Sequence, residues 1–247
     1  MKYTKLGTSD LNVSRIVLGC MRIADKPLER TERLLEAAVG AGVNMFDHAD
    51  IYGGGESERL FGLALKNTGI AREKIVVQSK CGIRKGMFDF SKQHILEAAE
   101  GSLKRLGTEY LDALLLHRPD ALMEPDEIFA AFDELYRSGK VRQFGISNFS
   151  VSQTRLLEGG RYPIAANQLQ FSLMHAGMVD EGLNVNMMKG ESVERGGEIL
   201  DYCRLKRITV QAWSPLNFGM FEGIFVGNEK FPELNAKLEE LAEKYAC

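Results

Sequence analysis

Long apolar runs are missing from this 247-residue chain, and without a stretch of roughly 18 such residues no helix can cross a membrane. Excess positive charge is missing too. The 31 Lys and Arg against 34 Asp and Glu leave a net charge of −3, which offers no basic field to nucleic acid or to an anionic membrane. Cysteine is sparse. Cys20, Cys81, Cys203 and Cys247 form no C-x-x-C pair and have no histidine at zinc-finger spacing, so reduced thiols are expected. Residues 1–10 are polar and lack the apolar core of a secretory signal, which makes the cytoplasm the expected compartment. No glycine-rich fingerprint follows the first strand-like run, and no repeat or linker-like tract divides the chain, so residues 1–247 read as one domain.

What is present is a rhythm. With 45% apolar and 26% charged residues there is material for a sizeable core. After a hairpin-like segment at Lys2–Val13, strand-like runs occur at Ile16–Leu18, Asn44–Asp47, Lys74–Ser79, Ala113–Leu116, Gln143–Ser147, Ala166–Leu169 and Ile208–Trp213. Several are apolar throughout, as strands of a sheet covered on both faces are. Amphipathic stretches intervene at Pro27–Ala41, Ser91–Leu106 and Glu124–Ser138. Ser150 and Gln153 fit a capping box, and Pro232–Tyr245 carries Leu234, Leu238, Leu241 and Tyr245 on one stripe. Met174–Ser192 has no clear period and reads as a long loop.

Strands alternating with helices point to an α/β fold, a (β/α)8 TIM-type barrel with an N-terminal β-hairpin. Only seven barrel strands are legible, so the last strand-helix unit is not in this sequence. A barrel left unclosed would expose the edges of its first and seventh strands, through which a second copy of the chain can pair.

Barrel enzymes carry their chemistry at the C-terminal strand ends. Three successive runs end in Asp47, Lys80 and His117, and Tyr52 follows Asp47 by five residues. Taken singly, Asp47, Lys80 and His117 each have a bland reading, as a loop cap, a solvated cation or a satisfied core imidazole. Together at one rim they describe an acid-base site. A phenol titrates near about 10, and a neighbouring ammonium is expected to lower that value enough for proton donation. Asp47 would hold Lys80, and His117 would orient a substrate oxygen. No side chain donates hydride, so a nicotinamide is required.

These residues resemble the aldo-keto reductase superfamily over essentially the whole chain, in its bacterial small-reductase type. Asp47-His-Ala-Asp-Ile-Tyr52 looks like that family's D-x-A-x-x-Y segment, Gln78-Ser-Lys-Cys81 its lysine strand, and Leu115-Leu-His-Arg-Pro-Asp120 its histidine strand. Gly145-Ile-Ser-Asn-Phe149 is similar to its G-x-S-N-F motif, Asn167-Gln-Leu-Gln-Phe-Ser172 to N-Q-x-x-x-S, and Ala212-Trp-Ser-Pro-Leu216 to A-[YW]-S-P-L. The resemblance implies a catalytic set of Asp47, Tyr52, Lys80 and His117. It implies NADP(H) as cofactor, with Ser147, Asn148 and Gln168 on the carboxamide and Asp47 beside it. Trp213 would stack on the ring, and Ser214, Pro215 and Leu216 would meet the pyrophosphate.

The expected substrate is a small aldehyde or ketone, with no metal. The basic segment that grips an adenosine 2′-phosphate is absent from this sequence, so NADPH over NADH rests on resemblance. Gly82–Phe90, Met174–Ser192 and Asn217–Lys230 are the candidate specificity loops, and Phe88, Phe90, Phe218 and Phe225 are candidate pocket rings. The alternative is a catalytically weak, shortened binding protein of the same family. Channel β-subunits of the superfamily, however, carry Asn where this chain has His117. Tyr136-Arg-Ser-Gly-Lys140 satisfies the Y-x-x-x-K of short-chain dehydrogenases, but Gly139 interrupts the helix that would align the two side chains. A metal hydrolase using His48, Asp50 and His117 lacks further ligands at suitable spacing.

Overall fold

The structure, a computed structural model, describes residues 1–185, 187, 188, 190, 193, 198–219 and 222–246. Strand β1 (Tyr3–Lys5) pairs antiparallel with β2 (Asn12–Ser14), placing Thr4 opposite Val13. The chain then alternates β3 (Leu18–Gly19), α1 (Leu28–Gly40), β4 (Met45–Asp47), α2 (Glu56–Thr68) and β5 (Val76–Cys81). A small hairpin follows, β6 (Ile83–Arg84) with β7 (Met87–Phe88). After it come α3 (Lys92–Leu106), β8 (Leu111–Leu116), α4 (Pro125–Arg137), β9 (Val141–Ser147), α5 (Val151–Leu156) and β10 (Ile164–Gln170). The last elements are α6 (Gly177–Leu183), α7 (Ile199–Lys206), β11 (Thr209–Trp213) and α8 (Pro232–Tyr245).

The seven barrel strands form one parallel sheet in the order β11-β10-β9-β8-β5-β4-β3. Sequential parallel neighbours joined through helices are the topology of a TIM-type α/β barrel. Among the described residues the sheet ends at β3 on one side and β11 on the other.

Strand alternation builds two cores. Phe46, Val77, Leu114, Leu116, Phe144 and Ile146 face outward and pack with Leu35, Phe61, Ile95, Leu103, Ile128 and Phe132 of the helices. Met45, Val76, Ala113, Leu115 and Ala166 form a second, inner cluster closed by Leu6 and Val13 of the hairpin. The hairpin thus plugs the N-terminal end, where the Gly7 N–H donates to Thr209 Oγ1 at 2.7 Å. Gly7 sits at φ +57°, and a Cβ there would lie 2.6 Å from the Ala165 carbonyl oxygen, so close approach as well as backbone angle selects glycine.

Local sequence explains the helix ends. Ser91 accepts from the His94 N–H, Gly107 ends α3 at φ +64°, and the Ser150–Gln153 capping box opens α5 with both bonds formed. In α8 Leu234, Leu238 and Leu241 are half-buried, but Tyr245 is exposed.

Two expectations need correction. The first barrel strand is Leu18–Gly19 rather than Ile16–Leu18, because Ile16 projects outward at 63% exposure. Met174–Ser192 is not wholly loop: α6 lies inside it, with no buried residue to give it a readable apolar stripe. Ser192, the last residue of that expected loop, and Cys247 lie outside the described residues. Two further helices were not anticipated. α2 follows Gly53-Gly54-Gly55, whose turn-like composition hides its start, although Leu60, Phe61 and Ala64 share its buried face; α7 is short.

Candidate active site

The alternation that fills the lower barrel with Met45, Val76 and Leu115 continues upward with polar groups on the same inward parity. Asp47 follows Met45 by two residues, and Gln78 and Lys80 follow Val76 by two and four. Register then brings them together, since Asp47 pairs with Gln78 and Gln168 lies beside both Ser147 and Gln211.

At the centre is Lys80, fully buried. Its Nζ donates to Asp47 Oδ2 at 2.8 Å, to the His48 carbonyl at 2.7 Å and to Tyr52 Oη at 3.0 Å. Asp47 Oδ1 accepts from Gln78 Nε2 at 2.6 Å and from Gln168 Nε2 at 3.2 Å, and both amides bond Gln211 Oε1. The buried carboxylate is thus satisfied on both oxygens, as a buried charge must be. The Tyr52 ring stands edge-on to His117, with centroids 5.8 Å apart. The loop between them is fixed by main-chain bonds from the His48 N–H to the Gln78 carbonyl and from the Asp50 N–H to the Lys80 carbonyl.

The electrostatics follow from burial and from Lys80. Burial works against the Lys80 charge, but Asp47 and then Tyr52 outweigh it and hold the ammonium above its ordinary range. For Tyr52, burial raises the phenol pKa more than Lys80 lowers it, so the net direction is upward. This corrects the expectation of a lowered phenol: the ammonium pulls in the expected direction, but burial is the larger effect. Burial, then the Lys80 charge, pushes His117 down to about 3, so its imidazole is neutral at ordinary pH. His117 Nδ1 is buried without a partner.

A second group lies on the far strands. Ser147 Oγ donates to the Gln168 carbonyl at 3.0 Å, Asn148 Nδ2 donates to Ser147 Oγ at 2.9 Å, and Trp213 Nε1 donates to Asn148 Oδ1 at 3.1 Å. Asn148 and Ser214 adopt φ of +62° and +51°, left-handed angles that are costly outside glycine and cluster at working sites. Pro215 and Leu216 are exposed beyond Ser214. Gln168 belongs to the Asp47 network through its side chain and to the Ser147 group through its carbonyl.

Other anticipated groups lie elsewhere. His48 is buried against Phe61, ring centroids 4.5 Å apart, and burial holds it near 3. Cys81 is buried and its thiol is pushed well up by that burial, which leaves it without thiolate character. Phe90 and Phe225 are core side chains, whereas Phe88 is 43% exposed. Tyr136 and Lys140 flank the end of α4, where Gly139 turns at φ +75°.

The sequence reading did not single out Gln78, Gln211, Glu58 or Arg105. Gln78 and Gln211 stand two residues before Lys80 and Trp213, and that parity alone marks them as inward. Glu58 is fully buried on α2, accepting from Ser79 Oγ at 2.5 Å and from Arg105 Nε at 2.7 Å, and so braces the outer side of the lysine strand. Nothing local in the sequence reveals it.

Comparison with known proteins agrees with this architecture. The sequence pattern of the Aldo/keto reductase family matches residues 15–247. The oxidoreductase YcsN of Bacillus subtilis is 40% identical over 223 residues, 85% of this chain and 69% of its own length. The oxidoreductase YdhF of Escherichia coli is 36% identical over 243 residues, 94% of this chain and 74% of its own. A solved glycerol dehydrogenase from Gluconobacter oxydans has a TM-score of 0.75 at 26% identity, covering 98% of this chain and 78% of that one. Fold and relatives together define an oxidoreductase on a TIM-type scaffold. The chain belongs to the aldo/keto reductase family.

Proposed function

We propose that the protein reduces the carbonyl group of a small aldehyde or ketone to an alcohol at the expense of NADPH, with Tyr52 as the proton donor. The observation that carries this reading is the contact of one buried ammonium, Lys80 Nζ, with both Asp47 Oδ2 and Tyr52 Oη at the open end of the barrel.

The donor set beside it suits a nicotinamide. Ser147, Asn148 and Gln168 offer a hydroxyl and two amides, which complement a carboxamide, and Trp213 offers a flat face next to them. Asn148 and Ser214 hold left-handed main-chain angles, and Ser214, Pro215 and Leu216 would meet the pyrophosphate. When bound, the cofactor supplies hydride to the carbonyl carbon. The choice of NADPH over NADH follows the family resemblance.

The chain's own residues manage the proton. Tyr52 stays a phenol at neutral pH, because burial raises its pKa. As negative charge develops on the substrate oxygen, Oη gives up its proton, and the Lys80 ammonium at 3.0 Å stabilises the phenolate left behind. Asp47 keeps Lys80 charged and in place. His117, neutral and with a nitrogen free, orients the oxygen toward Oη.

Replacing Tyr52 by Phe is expected to lower kcat for aldehyde reduction by a factor on the order of 10² to 10⁴. Cofactor affinity, read from quenching of the single tryptophan, Trp213, should be nearly unchanged. A variant that kept most of its turnover would overturn the assignment, and absence of saturable quenching in the wild type would overturn the cofactor reading.

A further inference from the structure

Among the described residues three arginines are half-buried: Arg72, Arg105 and Arg118. The first two are fully engaged. Arg72 bonds Asp112 at 2.7 Å, two main-chain carbonyls and Thr108, and Arg105 bonds Glu58 and Ser102. Such pairing is the usual condition for withdrawing a guanidinium from water. Arg118 is the exception. Among the described residues its guanidinium has no ion pair, no hydrogen bond and no aromatic partner. Asp120, two residues on, is turned instead to the Leu122 N–H at 2.9 Å.

The location gives this its meaning. Arg118 directly follows His117 at the C-terminal end of β8, and consecutive Cα atoms lie about 3.8 Å apart. The adjoining His117 N–H is fixed to the Cys81 carbonyl at 2.9 Å, and the His117 ring faces Tyr52. The Arg118 charge reaches the same place, since it helps to depress His117. The other cation of the site, Lys80, is already neutralised by Asp47. Arg22 and Lys85, exposed on the loops after β3 and β5, also have no ionic partner among the described residues. The carboxyl groups of Asp25 and Asp89 on those same loops are occupied by Lys26 and Arg84. Beside β8, then, a half-buried guanidinium without an ion-pair partner adjoins the group that orients the carbonyl.

We infer that Arg118 anchors an anionic group on the substrate, so that the carbonyl compounds this site takes best carry a carboxylate or a phosphate a short chain away from the reacting carbon. A planar guanidinium accepts either in bidentate fashion, which fixes direction as well as position. The inference rests on the carbonyl-reductase reading above and narrows its substrate class.

The test compares matched pairs, 4-oxobutanoate with butanal and glyceraldehyde 3-phosphate with glyceraldehyde, on the wild type, Arg118→Met and Arg118→Lys. The wild type is expected to prefer the anionic member of at least one pair, and which pair shows the preference separates carboxylate from phosphate. Arg118→Met should lose about 10- to 100-fold in kcat/KM for that anion, mainly through KM, while the neutral partner is little changed. Arg118→Lys should recover part of the loss.

Equal losses on charged and neutral substrates, or no wild-type preference in either pair, would overturn the anchor. So would a comparable loss of NADPH affinity in Arg118→Met, which would place the cation on the cofactor. If neither member of a pair is turned over, the reductase reading fails separately, and the anchor is then read from binding. A rise in Tm with 4-oxobutanoate or glyceraldehyde 3-phosphate in the wild type but not in Arg118→Met supports it, and no difference overturns it.

Discussion

At the scale of single residues, the site is a buried charge problem solved by hydrogen bonds. Lys80 is fully buried and Asp47 nearly so, and their attraction offsets desolvation only because Gln78, Gln168, Tyr52 and the His48 carbonyl take up the remaining donors and acceptors. Removing one partner should therefore cost more than the pair itself is worth. Lys80→Met is expected to destabilise the fold by roughly 3–5 kcal/mol, because it strands the Asp47 carboxylate. The double variant Asp47→Asn, Lys80→Met should recover much of that loss. Urea unfolding of the two variants checks this; a double variant no more stable than the single would show that the stranded charge is not the cause. Asp47, Tyr52, Lys80 and His117 were legible in the sequence because each ends or closely follows an apolar run. Their electrostatics were not legible. Burial, which reverses the expected direction for Tyr52, is a property of the folded surroundings.

At the scale of elements, the sheet is positioned by helices that approach one another closely. α2 packs on α3 through Gly62, where a Cβ would lie 2.5 Å from the Leu106 carbonyl oxygen and 2.8 Å from that of Arg105. A backbone oxygen at that distance can yield only by moving the helices apart. Gly62→Ala should thus destabilise the protein by about 1–3 kcal/mol even though alanine is the better helix former. A thermal melt that shows the variant unchanged or stabilised would refute the close approach. The same displacement would move Glu58, which braces Ser79 next to Lys80, so turnover should fall together with Tm. α2 escaped the sequence reading because its first turn follows three glycines, and α6 because none of its residues is buried. An amphipathic signal exists only where packing requires one.

At the scale of the whole molecule, three buried titratable groups shape the pH dependence of stability. Burial holds His48 and His117 near 3, below their ordinary 6.5. Their contribution is complete above 6.5 and is lost as pH falls through about 3, because the unfolded chain takes up protons that the native state refuses. Asp50 acts in the opposite direction. Burial and then Glu58 raise it from 3.8 to about 7, so its contribution is complete below 3.8 and is lost as pH rises through 7. Stability should increase from pH 4 toward 6.5 and then level off. Asp50→Asn, which cannot ionise, should raise Tm by a few °C at pH 8 and change it little at pH 4. Equal effects at the two pH values would show that the carboxyl is not the responsible group.

The sequence by itself determined the class of fold, the seven strand positions to within a few residues, and the identity of the groups at the strand ends. Those features are set by short-range pattern: apolar runs, caps and turn residues. Tertiary structure alone decided which side chains meet. The Gln78–Gln168–Gln211 cluster beneath Asp47, the brace from Glu58 to Ser79 and the unpartnered guanidinium of Arg118 depend on register and curl between strands far apart in the chain. The reason is physical. Alternation along one strand says that a residue faces inward, but only the register and curl of the sheet say what it faces and how far away.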